Sequence, residues 1–116
     1  MILTALAEEI RDLTESAVVD EIARQMGGVN RIRAMIGATL IASQGDYTLV
    51  IKFPNRQRSK GNYVEVQYRK GSDAYDMRFY NSTMRAHKKV KEFKGVYAED
   101  LVRLFTQQTG LRLRLF

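Results

Sequence analysis

The chain has no cysteine, one proline (Pro54) and one histidine (His87) in 116 residues. Without cysteine, disulfide staples, thiolate zinc sites and cysteine nucleophiles are excluded, and the composition fits a reducing compartment. His87 sits among Arg85, Lys88 and Lys89, with no second histidine to complete a metal set, and reads as a solvated surface residue. No G-x-x-x-x-G-K-[ST], G-x-S-x-G or H-E-x-x-H pattern occurs, so nothing indicates a nucleotide-binding loop, a serine hydrolase or a zinc protease. Asp73 and Asp76 are the nearest thing to a carboxylate pair, but turn formation and balance against Arg69 and Arg78 account for them. The expectation is a protein without a cofactor or metal, and not an enzyme.

Long apolar runs are also lacking. None approaches the roughly 20 residues of a membrane span, and Glu8, Glu9 and Arg11 interrupt the N-terminus before a signal-peptide apolar region can form. A soluble, cytoplasmic protein with no membrane partner is expected. No Pro- or Ser/Gly-rich tract serves as a linker and no internal repeat is present, so residues 1–116 read as a single domain.

Charge is abundant and unevenly placed. The net charge is +6, yet residues 1–30 carry six acids (Glu8, Glu9, Asp12, Glu15, Asp20, Glu21) against Arg11 and Arg24. Residues 52–94 carry twelve bases against Glu65, Asp73, Asp76 and Glu92. A segment of that kind attracts polyanions through its long-range field and through counterion release.

Periodicity gives the fold class, α+β. Residues 1–28 read as an acidic helical arm. Thr4 can cap one short helix bearing Leu6, Ile10 and Leu13, and Ser16 can cap a second bearing Val18, Val19, Ile22, Ala23 and Met26 before Gly27-Gly28. Residues 31–94 read as a four- to five-stranded antiparallel meander. The period changes at Ile32, Gly37 marks a bulge or bend, and Gly45-Asp46 makes a turn. Tyr47, Leu49, Ile51 and Phe53, then Val64, Val66 and Tyr68, then Tyr75, Met77 and Phe79 supply a dry face. Residues 82–94 read as an extended segment or edge strand, because a row of lysines keeps other chains from pairing. Residues 96–116 give a helix lined by Val96, Leu101, Leu104 and Phe105, packed on one face of the sheet, and a short terminal strand, LRLRLF, for this sheet or a second subunit.

Several blocks then fall into a familiar order: Gly27-Gly28, Met35-Ile36-Gly37-Ala38, Asn62-Tyr63-Val64, Tyr75-Asp76-Met77 with Phe79, Gly95-Val96-Tyr97 with Leu101, and Thr109-Gly110-Leu111. From about residue 17 onward the chain resembles a family of small phage and prophage proteins. The resemblance implies a mobile-element accessory protein in a host cell. It transfers no site residues, since that family carries no settled activity, and the RQRSKG segment and the arginine-rich end depart from its pattern.

The residues themselves supply the candidate site. Arg56, Arg58 and Lys60 crowd one loop, Arg69 and Lys70 the next turn, and Lys88, Lys89 and Lys91 the edge, with Tyr63 and Tyr80 offering rings on the wet face. Phosphates on cations and bases stacked on rings are how single-stranded nucleic acid is held. Nucleic-acid binding is therefore the leading expectation. Its rival is a protein-interaction module that inhibits or redirects a host protein, for example an anti-defence or anti-CRISPR-like inhibitor, using a sheet edge and the acidic arm. The same two surfaces suit a homodimer.

Overall fold

The computed structural model describes residues 17–43, 45–54 and 62–113. The Thr4 helix, the Ser16 cap, the acids of the first 16 residues, the loop cations Arg56, Arg58 and Lys60, and residues 114–116 lie outside them.

Helix α1 runs through residues 17–25 and buries Val19, Ile22 and Ala23, followed by Met26, on one face. It stops where Gly27 and Gly28 take φ of 118° and 94°, and the Gly28 amide donates to the Ala23 carbonyl at 2.8 Å. That six-to-one bond is the usual closure of a helix C-terminus, and side chains disfavour the dihedrals it needs. The chain reverses at once into α2 (Val29–Ile36).

Here the structure corrects the strand expectation. Residues from Ile32 to Ile36 are helical, and Gly37 is the left-handed residue that ends α2 instead of a bulge. Ile32 and Ile36 are four apart and both buried, while Arg33 points away from the core; a helical stripe outweighs β-branched composition, which is a weak preference.

Five strands follow: β1 (Thr39–Ser43), β2 (Thr48–Lys52), β3 (Tyr63–Arg69), β4 (Ala74–Ser82) and β5 (His87–Val96). Every neighbouring pair is antiparallel and the order is β1-β2-β3-β4-β5, a meander. Among the described residues the lysine-rich segment is an edge strand, as its composition suggests. It carries two register breaks against β4, between Tyr75 and Met77 and between Phe79 and Tyr80. Val96 ends this strand, a correction to its expected place on the C-terminal helix.

A 3₁₀ turn (Ala98–Asp100) leads into α3 (Leu101–Thr109), whose Leu101 and Phe105 are fully buried. The three helices cover one face of the sheet. Leu49, Ile51, Val64, Val66, Met77 and Phe79 meet Ile22, Met26, Ile32, Ile36, Leu101 and Phe105 in one apolar core. Phe105 is its junction, with ring centroids 5.7 Å from Phe53 and 6.4 Å from Phe79. Buried Thr109 closes α3 by donating its hydroxyl to the Phe105 carbonyl at 2.7 Å and accepting the Leu111 amide at 3.1 Å. Beyond it, residues 111–113 form no strand, and Leu113 is wholly buried in the core. The alternation of leucine there serves packing. Among the described residues no helix is long and apolar enough to cross a membrane.

Candidate functional site

No described helix packs over the other face of the sheet, and its register sorts the side chains there into three transverse rows. Opposed residues sit about 4.7–5.5 Å apart across neighbouring strands, close enough for side chains in one row to touch.

The first row is Thr39, Lys52, Tyr63, Tyr80 and Lys89, one residue from each strand. Tyr63 and Tyr80 meet edge to face at 5.6 Å. Lys52 Nζ lies 5.6 Å from the Tyr63 centroid. His87, two residues before Lys89 and paired with Ser82, lays its ring parallel to Tyr80 at 4.2 Å and edge-on to Tyr63 at 4.6 Å. A cluster of three rings thus lies between two cations. Burial first, and the charge of Glu65 next, pushes both phenols above their ordinary pKa, so Tyr63 and Tyr80 stay neutral and do not repel phosphate.

The turn Thr83–Ala86 places His87. The Thr83 amide donates to the Ala86 carbonyl at 2.7 Å, and the Thr83 hydroxyl accepts the amides of Arg85 and Ala86. Across the sheet Asn62 clamps the same end, donating to the Ser82 carbonyl at 2.8 Å and accepting the Ser82 amide at 2.7 Å.

The second row is Ile41, Val50, Glu65, Arg78 and Glu92. Arg78 Nε donates to Glu65 at 2.8 Å and Nη1 to Gln67 at 3.2 Å, with Glu92 at 3.8 Å. Burial, the largest influence, opposes the guanidinium charge, but the bond to Glu65 and the charges of Glu65, Tyr80 and Glu92 together outweigh it and leave the pKa above its ordinary value. Tyr80 ties the rows together by donating its hydroxyl to Glu65 at 3.1 Å. The middle of the face is therefore ion-paired with itself.

The third row, Ser43, Thr48, Gln67 and Asp76, ends where the Asp76 carboxylate accepts the Gly95 amide at 3.2 Å.

The expected cations fall into separate places. Arg69 and Lys70 belong to the far end, where Arg69 Nε lies 3.7 Å from Asp76 and Lys70 Nζ 4.2 Å from the Tyr47 centroid. They line an open cleft of about 590 Å³ between two turns, with Asp46, Gln67 and Ser72. Lys89 is on the open face and bonds Glu92 at 2.9 Å. Lys88 and Lys91, paired with Asn81 and Phe79, belong to the helix-covered side of β5, though both are exposed. Six residue steps along β4, from Ala74 opposite Arg69 to Tyr80 in the first row, separate the two ends by roughly 20 Å at a strand rise of about 3.3 Å. The structure adds two residues that the sequence did not assign to the site: Lys52 within the first row, and His87 beside it, which the sequence reads only as a solvated surface residue. Only the hairpin lengths, which fix register, could have revealed them.

Among the described residues no cluster of three or more histidine, aspartate or glutamate side chains could hold a metal ion. A second cleft, of about 340 Å³ on the helix side, includes Tyr68 donating to Asp73 at 2.7 Å and Tyr75 donating to Gln25 at 3.0 Å. Both phenols thus donate to side-chain partners at the cleft.

Fold and face together define an α+β meander, with helices over one side and a ringed, basic end on the other. Comparison of the chain with family models, curated proteins and solved structures found no match.

Proposed function

We propose that this chain is a non-catalytic accessory protein that binds single-stranded nucleic acid across the Lys52–Tyr63–Tyr80–Lys89 row. What carries the reading is the ring cluster of Tyr63, Tyr80 and His87 set between cations on the side of the sheet that no described helix covers. Exposed His87 extends the stack from Tyr80, so a base can add to it while Lys52 and Lys89 meet the backbone phosphates. In the neighbouring Glu65–Arg78–Glu92 row the one guanidinium is already shared between two carboxylates, so the row offers phosphate no free cation and confines the ligand to one end of the face. The phage or prophage setting implied by the glycine-containing blocks belongs to this same proposal.

The test is fluorescence anisotropy with labelled single-stranded DNA, duplex DNA and RNA of mixed sequence over a salt series. Single strands should bind more tightly than duplex, and His87→Ala and Tyr63→Ala should each weaken binding by about 1–3 kcal/mol, the worth of one stacked base. Absence of binding to all three at low salt would overturn the reading.

A further inference from the structure

We propose that β1 is a self-association edge, to which a second copy of this chain adds its own β1, antiparallel, about a two-fold axis at Ile41. Among the described residues the sheet ends in two edges of opposite character. β5 carries Lys88, Lys89, Lys91 and Lys94 and breaks register twice against β4. Both features hinder pairing with another strand. β1, TLIAS, has no charge, no proline and no register break against β2. Alternate residues of such a strand turn their N–H and C=O groups away from the neighbour they pair with, leaving a template for one more strand.

Charge selects the occupant. Two copies of a chain of net charge +6 repel, and meeting through β5 would set lysine against lysine. Through β1 they meet without placing any charged side chain opposite its own copy.

Geometry selects the register. Thr39, Ile41 and Ser43 share the open face with Lys52, Val50 and Thr48, while Leu40 and Ala42 share the helix-covered face with Ile51 and Leu49. Opposed residues in an antiparallel pair must lie on the same face. The one full overlap that satisfies this pairs Ile41 with Ile41, Leu40 with Ala42 and Thr39 with Ser43 of the other copy. Large meets small on the covered side. On the open side Ile41, which is 41% exposed although it lies mid-strand, gains an apolar partner. Both sheets then continue into one of ten strands, with a ringed row on each copy. A pairing of five residues covers less than the roughly 1,600 Å² of a standard interface, so the dimer should dissociate on dilution.

The absence of cysteine makes the test clean. Single substitutions Ile41→Cys, Thr39→Cys and Val90→Cys, the last at an exposed position of β5, are compared under a mild oxidant at one protein concentration. Directly opposed residues fall within disulfide reach, whereas Thr39 of the two copies would be about 13 Å apart along the strands. Ile41→Cys should link rapidly and the other two slowly, while mixing Thr39→Cys with Ser43→Cys should yield a linked heterodimer. Sedimentation of the unmodified chain should show a monomer–dimer equilibrium that Ile41→Lys weakens about tenfold or more, with an unchanged circular dichroism spectrum. Any of three results would overturn the proposal: a monomer at every concentration, linking at Val90 as fast as at Ile41, or a dimer indifferent to Ile41→Lys. No nucleic acid enters the experiment, so its failure is separate from failure of the binding reading.

Discussion

The Gly95 amide donates to the Asp76 carboxylate at 3.2 Å, across the register break where β5 spends one more residue than β4. Gly95 holds φ at 68°, a left-handed dihedral that an L side chain adopts at a cost. A Cβ there would meet no atom within 4 Å, so strain would arise from the backbone alone. Gly95→Ala should lower stability by about 1–2 kcal/mol, and Gly95→Asn by less, since asparagine tolerates that region. Asp76→Ala should cost about 0.5–1.5 kcal/mol by removing the acceptor of this bond. Urea denaturation of the three variants checks the order.

Arg78 binds three partners from a position only 17% exposed, and its bond to Glu65, itself 23% exposed, is the shortest of them. Removing one member strands the other. Glu65→Gln and Arg78→Met should each destabilise by about 1–3 kcal/mol, and the double variant by less than their sum, with a coupling of roughly 0.5–3 kcal/mol. Additive losses in thermal denaturation would show that the pair contributes nothing beyond packing.

The dry face of the sheet was legible in the sequence because alternation has a period of two and Val64, Val66, Met77 and Phe79 obey it strictly. So was the end of α3 at Gly110, a left-handed cap with φ of 77°. The helix at Ile32–Ile36 was not, because two isoleucines in a short window suit both a strand and a helical stripe, and only packing on β1 and β2 decides between them. The candidate site was half legible. Tyr63, Tyr80 and Lys89 were named from composition, but their alignment in one row, with Lys52 and His87, depends on three registers that composition does not encode.

The Tyr68 phenol donates to Asp73 and is pushed up to about 12, first by that bond and then by burial. A raised pKa in the folded state means that the unfolded chain loses this proton first. The contribution to stability is present below the ordinary phenol value of 10.0 and is lost as pH rises towards 12. Denaturation midpoints should therefore fall through this window, and Tyr68→Phe should flatten the fall. Tyr63, Tyr75 and Tyr80 are raised as well, so absorbance titration of the folded chain should show late phenolate formation, with the latest step missing in Tyr68→Phe.

The separation of the cations into two ends makes the salt dependence of binding diagnostic. A strand held across the first row releases counterions at Lys52 and Lys89 but leaves Arg69 and Lys70, at the other end of β4, in free solution. Each phosphate contact with a single strand contributes about 0.7 to the slope of log K against log salt. Lys52→Gln with Lys89→Gln should lower that slope by about 1.4, whereas Arg69→Gln with Lys70→Gln should leave it nearly unchanged. Lys89 also bonds Glu92, so its loss frees a carboxylate near the ligand and should weaken affinity beyond what the slope accounts for. Equal effects from the two pairs would mean that the ligand runs the length of β4, over the ion-paired middle row, and that Arg78 exchanges its carboxylate partners for phosphate when the strand binds.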